Sequence, residues 1–128
     1  MRFLSPIAVL FVALLAVVSG GCGSKTHPKA DLDKAQAAVV ASMDNWKANE
    51  PIAKLKTQNP AVDFNEELRA TQTLTEYTVV KVHATDPEII RVVVTLKLKD
   101  RKGKVTEREA VYAVAFKSMI TVSRDPYF

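Results

Sequence analysis

Cysteine, histidine and glycine are scarce in this chain of 128 residues, which has one, two and four of them. A lone cysteine, Cys22, excludes any intramolecular disulfide and any zinc site built on paired cysteines. The histidines, His27 and His83, are isolated and form no ligand cluster, so no metal and no cofactor is expected. The catalytic signatures GxSxG, GxxxxGK[ST], GxGxxG and HExxH are missing, as is an EF-hand loop. Long apolar runs are missing too. The best one covers residues 7–18 and has 12 residues, against about 20 needed to span a bilayer core. Aromatic residues make up 7% of the chain and net charge is +4. A nucleic-acid binder more often carries a dense basic stripe interleaved with aromatics, so no nucleic-acid partner is expected. The densest basic run is Lys97, Lys99, Arg101, Lys102 and Lys104. It falls across a predicted hairpin and reads as a solvated turn whose charged strand ends discourage edge pairing.

What is present divides the chain in three: 1–21, 22–29 and 30–128. Met1 and Arg2 precede the apolar run, and Ser19-Gly20-Gly21 ends it. A charged start, a short apolar core and small residues before a cut define a secretory signal. Removing it leaves 107 residues, enough for a single domain with a core of its own. Residues 23–29 form a short tether that reaches about 25 Å at full extension. His27 in that tether is expected to be solvated.

The first segment resembles a bacterial lipoprotein signal peptide. That family's lipobox has an aliphatic residue at −3, small residues at −2 and −1, and then an invariant cysteine. Gly20, Gly21 and Cys22 match the last three places, while Ser19 departs from the first. The resemblance implies lipidation at Cys22, with a diacylglycerol thioether and an acylated (palmitate-type) amine. Several acyl chains suffice for stable anchoring where one is marginal. The implied location is the cell envelope, on the periplasmic face or the outer membrane. The implied partners are the membrane itself and an envelope protein. The alternative is plain secretion with a free Cys22 thiol.

In the folded part, residues 30–48 are predicted as a helix. Leu32, Ala35, Val39, Met43 and Trp46 recur at spacings of three and four, which makes one apolar face. Asn49 and Pro51 end it. Residues 51–57 suggest a short second helix with Ile52 and Leu55 inward, and residues 63–70 read as a helical turn or a covering loop. The period then changes to two. Strands are predicted over 74–84, 89–99, 105–117 and 119–124, with a hairpin at 100–104 around Gly103. The Val79-Val80 pair breaks the alternation and suggests a bulge or double burial. The fold class expected is α+β, an N-terminal helix packed on a curved four-stranded antiparallel sheet.

That order resembles the cystatin-like and nuclear-transport-factor-2-like folds. The likeness covers residues 31–128 in element order. Asp44-Asn45-Trp46-Lys47, Tyr77-Thr78-Val79, Tyr112-Ala113-Val114 and residues 120–125 also resemble small bacterial lipoproteins of this group. The Gln-x-Val-x-Gly hairpin of cystatin inhibitors is not present, so protease inhibition is not implied. Some enzymes with the second fold use an Asp–His or Asp–Tyr set, and His83, Tyr77 and Asp44 would be its counterparts. A strand histidine with no motif around it reads more simply as structural.

Two functional expectations follow. The first is a non-enzymatic envelope lipoprotein domain, with Arg91, Thr95, Lys97, Glu107 and Glu109 on the open sheet face as its contact surface. The second is a small-molecule carrier or enzyme with a pocket between helix and sheet, lined by Trp46, Tyr77, His83 and Tyr112. An enclosed apolar cavity would distinguish the second from the first.

Overall fold

Ala35, Val39, Met43 and Trp46 are all buried on one side of a 19-residue helix, which is the stripe their spacing demands. The computed structural model describes residues 29–84 and 86–127. Helix α1 (Lys29–Lys47) is followed by a single turn, α2 (Ala53–Lys56), then β1 (Val62–Asn65), a 3-10 turn (Glu67–Ala70) and four longer strands. These are β2 (Thr73–His83), β3 (Ile90–Lys99), β4 (Val105–Phe116) and β5 (Ile120–Arg124). The sheet has five strands in the order β1-β5-β4-β3-β2. β2 to β5 form an antiparallel meander, and β1 joins the far edge parallel to β5, with Val62 beside Ile120 and Phe64 beside Val122.

The expected four-stranded antiparallel sheet is therefore corrected to a five-stranded mixed one. Val62, Asp63, Phe64 and Asn65 alternate inward and outward. Four residues are too few for the sequence pattern to separate a strand from a covering loop. Pairing with β5 and burial of Phe64 make the strand.

Helix α1 stops at a residue with left-handed backbone, Asn49, at φ 55°. The Asn49 N–H donates to the Trp46 carbonyl and the Glu50 N–H to the Asn45 carbonyl, each at 2.9 Å. This pair of bonds caps the last turn and reverses the chain. At the other end of the sheet connection, Gly103 has φ +87°. The Asp100 carboxylate accepts from the Lys102 and Lys104 N–H groups, both at 2.9 Å, and so folds its own turn.

The helix lies over one sheet face. Leu74, Ile90, Val92, Val94, Leu96, Leu98, Ala110, Tyr112, Val114, Ile120 and Val122 are buried beneath it. The Val79-Val80 irregularity is a register shift between Val79 and Lys81. It leaves Val80 52% exposed and returns Val82 to the helix side. A second shift lies between Leu74 and Glu76.

Candidate functional site

The space between helix and sheet is filled by side chains. Trp46, Phe64 and Tyr112 run across it with ring centroids 6.4 and 6.1 Å apart, and all three are buried. The Trp46 indole N–H donates to the Gln72 carbonyl at 3.1 Å, which ties the end of α1 to the start of β2. Phe64, on strand β1 where the sequence predicts a helical turn or a covering loop, occupies the place where a pocket between Trp46 and Tyr112 would lie.

The other candidates separate. The Tyr77 hydroxyl donates to Asp44 Oδ1 at 2.6 Å. Partial burial, then this hydrogen bond and the carboxylate charge, push the phenol up to about 12, so it stays a neutral donor. His83 is not with them. Beyond the shift at Val80 it pairs with Arg91 in register and lies on the opposite sheet face from Tyr77 and Val82. Asp44 and Tyr77 therefore form a latch between α1 and β2. Cys22 lies outside the described residues.

A polar cluster that no sequence motif announces joins β1, β4 and β5. The Glu66 side chain is fully buried. It accepts from the Tyr112 hydroxyl at 2.6 Å and from the Leu68 N–H at 3.0 Å, and Arg124 Nε lies 3.6 Å away. Burial first, and then the Glu66 charge and hydrogen bond, raise the Tyr112 pKa far above the ordinary phenol range. Arg124 Nη1 is buried without a hydrogen-bond partner in the structure. Beside the cluster runs a surface groove of about 600 Å³, lined by Ile52, Phe64, Glu67, Ser123 and Pro126 among others. Glu66 is 46 residues from Tyr112, so no local spacing could reveal it. Two hydrogen bonds and the nearby Arg124 thus hold the Glu66 carboxylate in place between β4 and β5.

The open sheet face is mixed rather than uniformly wet. Val93 and Val111 are opposed in register there and are 7% and 8% exposed. Next to them Arg91 Nε contacts Asp125 Oδ2 at 3.0 Å. The Tyr127 N–H first, and then Arg91, lower the Asp125 pKa below the usual carboxylate range. Further along, Lys97 and Thr95 sit opposite Glu107 and Glu109. The Lys97 ammonium turns instead to Glu76 on β2, at 3.2 Å. Among the described residues no ion pair holds Glu107 or Glu109, and no group of three or more His, Cys, Asp or Glu could hold a metal ion.

The chain matches no family model, no curated protein and no solved structure.

Proposed function

We propose that this chain is an exported lipoprotein, anchored to the cell envelope through Cys22, whose folded part is a non-enzymatic binding or structural module. The observation that carries the second half is the filled interior. With Trp46, Phe64 and Tyr112 packed across it, recognition falls to the surface. The first half rests on the small residues Gly20 and Gly21 before a lone cysteine. Helix α1 begins at Lys29, so six residues, or seven Cα–Cα steps, separate the anchor from the fold. That tether reaches about 25 Å and keeps the domain near the head groups, where its mild positive charge is favourable. Within α+β folds, the long first helix laid across the meander supports a cystatin-like or nuclear-transport-factor-2-like assignment, with β1 as an added parallel edge.

The test is the intact mass of the protein from the membrane fraction of its native host, beside Cys22→Ala. The reading expects a product starting at Cys22 with added acyl mass, and a soluble, unacylated variant. A soluble wild-type product without added mass would sink it. A small-molecule carrier is the second reading, and the groove beside Arg124 is the feature that favours it. It expects a bound organic molecule released on denaturing the native protein.

A further inference from the structure

β5 covers only half of β4. Their pairing starts at Phe116 with Ile120 and ends at Tyr112 with Arg124, and the last bond runs from the Asp125 N–H to the Val111 carbonyl at 2.8 Å. The next amide in line, Tyr127 N–H, donates to Asp125 Oδ1 at 3.0 Å instead of continuing the ladder. β4 continues without β5 through residues 105–110, paired there with β3 alone. The β3–β4 register has no shift from Ile90 to Lys99, so strand alternation fixes which groups point outward. The Val111 carbonyl faces β5, hence the N–H and C=O of Glu109, Glu107 and Val105 face the same way. They have no backbone partner among the described residues. This is a strand-length opening in line with β5, and residues 105–109 are all exposed.

We propose that this bare edge of β4 takes an added antiparallel strand from a partner protein, one that carries basic residues at alternate positions opposite Glu107 and Glu109. Main-chain bonds supply affinity in such an arrangement, and the alternate side chains supply choice of partner. Both carboxylates lie on one face and join no ion pair among the described residues; Lys97, opposite Glu107, is engaged with Glu76. A lysine or arginine directly opposite each is favourable across strands, and a like charge is not. That also argues against a second copy of this chain. A two-fold antiparallel pair that overlaps the whole opening stacks Glu107 on Glu107. One register step further, Glu107 meets Glu109.

The inference names the contact surface of the proposed binding module and rests on that reading. Strand addition does not depend on the lipid, so failure here and failure of the anchor are separate results. The experiment is amide hydrogen exchange of the full-length protein with a blocked heptapeptide, Thr-Lys-Thr-Lys-Thr-Lys-Thr, and with its glutamate counterpart. At saturating lysine peptide the amides of Val105, Glu107 and Glu109 slow by about tenfold, and added salt weakens the effect. The glutamate peptide leaves them unchanged. Glu107→Pro removes one outward N–H and no bond to β3, so it abolishes protection while the thermal transition is retained. Arg108→Pro, which removes an inward ladder bond, lowers that transition and marks the difference. Equal protection by the glutamate peptide, or no protection by the lysine peptide, overturns the proposal. Slowing that follows protein concentration without peptide also overturns it, in favour of self-pairing.

Discussion

The polar residues that matter most to this fold are buried and far apart in sequence. The Tyr112 hydroxyl donates a hydrogen bond to Glu66, and Tyr112→Phe leaves a buried carboxylate with one donor fewer. That costs about 1–3 kcal/mol, read as a lower urea midpoint at pH 7. The same substitution changes the alkaline limb. The folded pKa of Tyr112 is raised, so its contribution is complete below the unfolded value near 10 and is lost as pH rises past it. Wild type should therefore lose more stability than Tyr112→Phe above pH ~10. Asp125 has the opposite sign. Its folded pKa is lowered by the Tyr127 N–H and by Arg91, so its contribution is present above the unfolded value near 3.9 and is lost as pH falls through the folded value. Asp125→Asn should be less stable than wild type at neutral pH, and urea titrations should show the gap closing toward pH ~2. Neither cluster was legible in the sequence. Glu66, Tyr112 and Arg124 lie on separate elements that only the sheet order brings together, whereas the Trp46 and Met43 stripe announces itself at helical spacing.

Elements with a long, clean period were readable, and short ones were not. The alternation from Ile90 to Leu98 and the stripe from Ala35 to Trp46 repeat often enough that their faces are fixed before any tertiary contact. β1 has four residues and takes its identity from β5 alone. Its signal was present, since Val62 and Phe64 stand two apart, but Asp63 and the following acidic residues favour a loop equally. Helix termination was readable through Asn49, and it carries a prediction. At φ 55° a β-branched side chain crowds the backbone, so Asn49→Val lowers stability by about 1–2 kcal/mol. Asn49→Gly holds it unchanged or raises it, because glycine is the preferred residue at that cap. A denaturant series on the two variants checks both signs, and equal losses would mean that the cap is not what ends α1.

At the scale of the whole molecule the domain has two ends. The start of α1 lies near β4's exit, since Asp31 shares a groove with Phe116 and Lys117. The close of α1 lies near the hairpin, since Trp46 shares another with Lys99 and Arg101. Nineteen residues of helix separate the two ends by about 28 Å, slightly more than the reach of the proposed tether. An anchor at Cys22 would therefore hold Lys34 and Lys117 toward the bilayer and carry the hairpin, with the bare edge of β4, away from it. Both lysines are exposed, as are Lys102 and Lys104 at the far end. Amine labelling of the lipidated protein in vesicles should thus modify Lys34 and Lys117 several-fold more slowly than in the soluble Cys22→Ala form, since a nearby charged surface limits access. Lys102 and Lys104 should label at the same rate in both. Uniform slowing of all four would mean that the domain lies flat on the membrane, and the open edge of β4 would then face lipid rather than a protein strand.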